Sequence, residues 1–354
     1  MSRLERLPWR RIILVVLGVT IVAVVAIGAT KTLSLSAAEG GYSGDAWLDF
    51  IVEGVAQGAI FAMIALGYSL VYGILRMINF AHGEVFMAGA FGSFFFAEAF
   101  ASSGFLNRSP VFALLLLTLV AVAVSVGTAV LLERLAYRPL RNAPRLVPLI
   151  TAIGASLFLQ NVFRGFFGPQ PYGYPKPNLL VGGFDIVGLQ LTKVQLLVLI
   201  TAVVSMIALQ VFVSRTTTGR AMRAVAQDSE IASLMGIDVN RVVVITFGIG
   251  GVLAGVAGIL FSLTFGQVQF TMGFRPGIAA FTAAVLGGIG SIGGAALGGF
   301  LIGLLRAVGP PLILTGFGIP SVFSLRDAFV FLVLVLVLVF RPGGLLGTGE
   351  AEKV

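Results

Sequence analysis

TTTGRAMRAVAQDSEIASLMGIDVNR, residues 216–241, decides what kind of fold this chain can have. It places Arg220, Arg223, Gln227, Asp228, Glu230, Asp238, Asn240 and Arg241 amid sequence apolar enough for a bilayer core. A charge at the centre of hydrocarbon costs about 2.5–3.5 kcal/mol on insertion scales, so the segment lies outside the membrane. Its apolar residues, Met222, Val225, Ile231, Leu234 and Met235, recur at helical spacing between Gly219 and Gly236. Thr218 is placed to cap the start and Gly236 to supply the left-handed stop. The spacing predicts one short amphipathic helix. Two roles stay open for it: a solvated connector between spans, or a face offered to another protein.

Outward from this stretch, composition sets the class. The chain has 354 residues, of which 58% are hydrophobic and 11% charged, with a mean hydropathy of +1.04. Soluble domains carry about 25% charged residues. The net charge of +8 is spread over segment ends and forms no basic stripe, which argues against nucleic acid and for topology determinants. Cysteine is absent and His82 is the single histidine, so thiol chemistry and a His/Cys metal centre are excluded. The 46 glycines suit close helix packing and broken helices in a bilayer.

In chain order, Arg3, Arg6, Arg10 and Arg11 precede an apolar run from Ile12 to Thr30. The run is about as long as a span and longer than a signal-peptide core, so a retained first span with a cytoplasmic N-terminus is expected. A second span follows over Trp47–Gly73, with Gly54 and Gly58 on one face and Glu53 read as snorkelling. Then come Asn79, His82, Gly83 and Glu84, a polar intrusion that reads as a capped helix start, Asn79 being a good cap. Further spans are expected over Phe80–Ala101, Pro110–Leu132, Leu146–Phe163, Val194–Val213, Val242–Phe265 and Asp327–Phe340. The basic loop Glu133–Arg145 belongs to the cytoplasm. The Gly/Pro/Tyr-rich stretch 165–193 reads as an external turn and hairpin. Residues 277–308 hold more glycine than one span needs. A break near Gly287–Gly294 makes them two pieces and returns Arg341 to the cytoplasmic side.

Two motifs carry a resemblance. Residues 54–91, GVAQGAIFAMIALGYSLVYGILRMINFAHGEVFMAGAF, resemble the signature region of branched-chain amino-acid (Liv-type) ABC permeases, in particular the subunit marked I-N-F-A-H-G-E. Glu230-Ile-Ala232-Ser-Leu-Met-Gly236-Ile237 resembles the E-x-A-x-x-x-G-I loop by which ABC importer permeases dock on their ATPases. The resemblance runs from about residue 50 to Arg341-Pro-Gly-Gly344 and leaves the N-terminal span as an addition. A urea-type permease of the same superfamily carries a similar N-x-A-H-G-E stretch and stays as a rival.

The resemblance implies an all-α, polytopic integral membrane protein with about nine or ten transmembrane segments, broken or half helices among them, and a cytoplasmic coupling helix. Residues 1–46 would be an extra N-terminal helix and loop, 47–347 the permease domain with its coupling loop at 216–237, and 348–354 a cytoplasmic tail. ATPase coupling would fall to Gly219, Arg220, Arg223, Asp228, Glu230, Ala232, Gly236 and Ile237. Solute would pass near Asn79, His82, Gly83 and Glu84, and near Thr282, Gly287, Gly290 and Ser291, unless these serve only capping and close packing. The implied partners are a pair of ABC ATPase subunits holding ATP and Mg, a sister permease, a periplasmic binding protein and the lipid bilayer of a bacterial inner membrane. Both termini would be cytoplasmic.

The chain has no G-x-x-x-x-G-K-[ST] motif, since none of Lys31, Lys176, Lys193 or Lys353 follows a glycine-rich loop, and no H-E-x-x-H motif. It is read as a non-catalytic transport subunit without cofactor or metal of its own. The competing class is a self-sufficient secondary transporter, which would show ion-coupling carboxylates in mid-span. Glu53, Glu84, Glu98 and Glu133 all fall near the ends of the expected spans.

Overall fold

The computed structural model describes residues 8–36, 40–141, 143–144, 146–186, 189–320, 322–341 and 343–347. Arg3, Arg6, Arg145, Pro342 and the tail 348–354 lie outside the described residues, as do the side chains of Arg10 and Arg11. Among the described residues, nine helices are long and apolar enough to cross a membrane, and a tenth is half-length. The protein is a multi-pass, all-helical membrane protein.

In order, α1 is Pro8–Ser34, α2 Gly44–Leu75, α3 His82–Ser102, the short α4 Phe105–Arg108, α5 Pro110–Leu132, α6 Leu146–Phe167 and α7 Lys193–Arg215. Two short helices follow, α8 Thr217–Gln227 and α9 Ser229–Leu234. Then come α10 Val239–Phe265, the half-length α11 Phe274–Gly287, α12 Ile292–Leu314 and α13 Arg326–Phe340. The expected Pro110–Leu132 span is reproduced, α3 starts two residues later than the expected Phe80, and the other ends agree or extend by about a turn or less. The 165–193 hairpin forms as β2 (Gly183–Ile186) antiparallel to β3 (Leu189–Thr192). Ahead of it, β1 (Tyr172–Gly173) pairs with β4 (Gln267–Val268) just past α10. These strands mark one end of the bundle, the hairpin end. Arg134, Arg215, Arg220 and Arg241 mark the other, the basic end.

The core is α2 with α3, α10, α11 and α12 around it. α2 is buried along most of its length, from Val52 to Val71. Contact between α2 and α12 is made by small residues in antiparallel register. A Cβ on Gly58 would meet the Phe300 backbone at 2.8 Å, and one on Gly54 the Leu304 Cα at 2.9 Å. Between helices in lipid, such close backbone approach supplies the van der Waals contact that a hydrophobic driving force cannot. The faces of α1, α5, α6 and α7 that look away from the core expose Val, Leu, Ile and Phe, as a hydrocarbon solvent allows.

Residues 277–308 divide as the glycine content and the parity of the spans suggest. α11 ends at Gly287, the turn passes through Gly288 and Gly290 at φ of 104° and 92°, and α12 returns antiparallel. Glu53 differs from its snorkelling expectation. It accepts from Arg326 Nη1 at 2.9 Å and from Gln57 Nε2 at 2.7 Å, tying the first third of α2 to the start of α13. At that hairpin end Tyr42, Trp47, Phe50 and Phe323 meet edge to face, the aromatic chemistry of a membrane interface.

Candidate solute path and coupling surface

α3 starts inside the bundle. α2 closes at Arg76 in left-handed backbone (φ 50°, ψ 30°), the one non-glycine residue with positive φ among the described residues. The chain then turns back into the protein, and His82 comes to rest against Gly67. Gly67 lies about 12 Å short of the end of α2 at 1.5 Å per residue. His82, Gly83 and Glu84 are all buried. They are the first residues of α3, as expected, but the 76–81 connection runs inward, so this end of the span is buried in the bundle.

Each of these residues has a definite neighbour. The Tyr137 hydroxyl donates to Asn79 Oδ1 at 2.6 Å, so Asn79 braces the connection and does not cap α3. The cap position belongs to Ala81, which makes no side-chain bond. Tyr137 is aimed inward by the π-helical turn Glu133–Tyr137 at the end of α5; such turns re-aim side chains and recur at functional positions. The buried Glu133 in the same turn receives Arg141 and, at 3.4 Å, Arg138 Nε. The His82 ring stands edge-on to Tyr68, centroids 5.0 Å apart. Gly83 lies against Gly273 and Gly277, whose lack of side chains lets α11 touch the start of α3.

Glu84 is the chemically distinctive group. Its residue is 1% exposed. Oε1 accepts from Gln160 Nε2 at 2.7 Å and Ser156 Oγ at 3.1 Å, both on α6. Oε2 has no hydrogen-bond partner among the described residues. Glu84 borders a cavity of about 270 Å³ whose wall is mostly apolar, with Phe80, Leu157 and Phe274 among its lining beside Ser156 and Tyr68. Leu157 and Phe274 also line a second cavity of about 620 Å³, which carries Gln160, Gln267, Gln269, Arg275 and Arg306. The two cavities adjoin, one with a carboxylate and the other with guanidinium groups. Ser156, Gln160, Tyr68 and Arg306 are absent from the residues expected from sequence. A signal existed for three of them: Ser156 and Gln160 form an i, i+4 polar pair in an apolar helix, and Arg306 is a lone charge inside a span.

The second expected group lies elsewhere. Thr282 is buried and donates to Ile278 O at 2.9 Å. Gly287 packs on Gly294, and Ser291 caps α12 by accepting from Gly294 N at 3.1 Å. The segment after α13 docks on this turn, Leu345 N and Leu346 N donating to Leu286 O and Gly287 O at 2.8 and 2.9 Å. Gly287, Gly290 and Ser291 thus build the α11–α12 turn.

The 216–241 stretch forms two helices where the spacing suggests one. Thr216, and not Thr218, caps α8 by accepting from Gly219 N at 3.0 Å. Gly219 is buried against the Phe212 and Val213 carbonyls, and Met222 and Val225 face the bundle. Arg220 is exposed, and the exposed Arg223 donates to Val213 O. Asp228 ends α8 and caps α9, its Oδ1 accepting from Glu230 N and Ile231 N at 2.9 Å each. A cap of this kind is worth about 1 kcal/mol. Glu230 is exposed, Ala232 is buried, and Gly236 at φ 83° closes the helix with Ile237 N donating to Ala232 O at 3.1 Å. This turns Ile231, Leu234 and Met235 outward, 59%, 83% and 78% exposed, beside charged residues that cannot enter hydrocarbon.

A bundle of spanning and broken helices around a charged internal cavity, with an amphipathic pair projecting from its basic end, defines a membrane transport permease. Residues 50–338 match the family described as branched-chain amino acid transport system / permease component. The chain is 42% identical over 315 residues to the high-affinity branched-chain amino acid transport system permease protein BraD of Pseudomonas aeruginosa, covering 87% of this chain and 98% of that one. It is 40% identical over 311 residues to the permease protein LivH of the same transport system in Escherichia coli, with the same coverage. To a probable branched-chain amino acid transport permease protein LivH of Methanocaldococcus jannaschii it is 26% identical over 308 residues, 84% of this chain and 92% of that one. The chain belongs to the branched-chain amino acid transport permease family. No solved structure matches it.

Proposed function

We propose that this chain is the membrane-spanning permease subunit of an ABC importer for branched-chain amino acids. ATP and Mg would be held by a pair of separate ATPase subunits, a sister permease would complete the pore, and a periplasmic binding protein would deliver the solute. The observation that carries this reading is the α9 surface. Ile231, Leu234 and Met235 project from the Glu230–Ile237 loop at the basic end, where positive charge puts the cytoplasm. Three large apolar side chains left in water mark a protein contact. The names of the relatives support amino acids over urea. With the basic end cytoplasmic, the C-terminal end of α13 would lie inside and the β2–β3 hairpin outside, on the side of the binding protein.

In this reading the chain performs no covalent chemistry. ATP-driven closure of the ATPases displaces α8–α9, and the cavities beside Glu84 open to alternate sides. Co-purification tests the assembly: the reading requires recovery of ATPase subunits and a second permease with the tagged chain, and hydrolysis that rises when loaded binding protein is added.

A secondary transporter is the second reading, and Glu84 is what favours it, since a carboxylate buried within the bundle is what ion coupling uses. ATP-independent uptake driven by an ion gradient would be its signature.

A further inference from the structure

We infer that Glu84 is the ammonium-binding group of a solute site in the cavity between α3, α6 and α11. The inference rests on the proposed amino-acid importer and adds to it a site with a chemical polarity.

The carboxylate is treated unequally by its surroundings. Oε1 is bonded by Gln160 and Ser156, which fixes the plane of the group. Oε2 is buried and unpartnered among the described residues. Holding α6 against α3 accounts for Oε1 and would be served as well by a neutral glutamine. It leaves Oε2 unexplained. Among the described residues Glu84 also has no ion-pair partner, unlike Glu53, Glu133 and Asp327. A buried carboxylate with neutral donors on one side only is costly unless a cation joins it.

The backbone nearest Oε2 is that of a glycine, and only glycine fits there. A Cβ on Gly273 would come within 2.6 Å of Oε2 and would also strike the Gly83 carbonyl. Apart from Ser156 and two glycines the rest of the cavity is aliphatic and aromatic, Ile153, Leu157, Phe274 and Ile278 providing much of its wall. At about 270 Å³ it lies just under the small-ligand range, which begins near roughly 300 Å³. One cation with a compact apolar body fits these walls.

The other end of the solute is matched in the adjoining cavity. Arg275 and Arg306 border it, and both pair with the single carboxylate of Asp327, at 3.6 and 3.0 Å. Two guanidinium groups against one carboxylate leave a net positive charge for the carboxylate of an amino acid. Gln160 borders this cavity and bonds Glu84, so one residue stands between the negative and positive ends. The pair of cavities is thus complementary to a zwitterion with an aliphatic side chain, ammonium toward Glu84.

The test is binding of radiolabelled leucine to the detergent-solubilised complex of this chain with its sister permease and ATPases, binding protein omitted. Competitors are isopentylamine, which keeps the ammonium, and isocaproate, which lacks it. Isopentylamine is expected to displace leucine and isocaproate to fail. Glu84→Gln should lower leucine affinity about thirtyfold or more, the scale of losing one partner of a desolvated charge pair, and Glu84→Asp should restore part of it. A site in which Glu84 only braces α6 would keep the guanidinium end alone and favour isocaproate. Displacement by isocaproate equal to or stronger than that by isopentylamine, wild-type affinity in Glu84→Gln, or no leucine binding in a complex that imports leucine would each overturn the site alone. The competition series uses the wild-type complex and stands even if the variants fail to assemble. A complex that imports no aliphatic amino acid would overturn both the site and the importer.

Discussion

The imidazole of His82 fills the place where a side chain on Gly67 would stand. That contact sets the depth at which α3 begins and therefore the depth of Glu84. Gly67→Ala should push the ring into Gly250 and Tyr68, its other neighbours. A loss of about 1–3 kcal/mol is expected for overpacking of this kind, read as a lower melting temperature of the solubilised protein. Combining it with His82→Ala should recover part of the loss; strict additivity of the two changes would show that the contact does not matter.

Tyr137 and Asn79 close the same connection from the basic end. Tyr137→Phe removes the donor and leaves Asn79 Oδ1 buried without it. The expected cost is about 1–3 kcal/mol, and Asn79→Leu in the same background should add little more. A full second loss in the double variant would mean that the hydrogen bond is not what couples the pair.

On α9 the expectation is the reverse, function lost and stability kept. Leu234→Asp and Met235→Asp alter side chains that touch little of the bundle, so melting should shift by no more than about 0.5 kcal/mol in free-energy terms. Recovery of ATPase subunits with the tagged chain should fall sharply. Glu230→Lys should uncouple hydrolysis from uptake in whatever complex remains. Normal solute-stimulated hydrolysis in these variants would exclude α9 as the docking surface.

Because the chain has no cysteine, its sidedness can be read without background. Arg134→Cys and Lys176→Cys place single thiols at exposed positions at the basic and hairpin ends. In intact cells a membrane-impermeant maleimide should label the second and spare the first until the membrane is opened. Labelling of both from one side would contradict the topology.

The sequence made the spans legible because each is an apolar run of membrane length bounded by charge or glycine. Pro110–Leu132, with proline at its first position, shows this best. The break at Gly287–Gly294 was legible for a related reason, since close helix approach needs glycine on both arms. What stayed hidden depends on neighbours far along the chain. Asn79-Phe80-Ala81-His82 reads as a capped helix start, and only Gly67, Gly250 and Tyr137 show that it is drawn inward. The partners of Glu84 on α6 lie 72 and 76 residues away, beyond any local pattern. Asp228-Ser-Glu could have announced a helix start in mid-segment; the continuing apolar spacing on either side concealed it.

Transport by proteoliposomes that hold this chain with and without its ATPase partners is the most direct measurement. The expected result is leucine uptake only when ATPases, binding protein and ATP are all present, unaffected by collapse of ion gradients. Uptake by the chain alone, driven by a proton or sodium gradient, would contradict it.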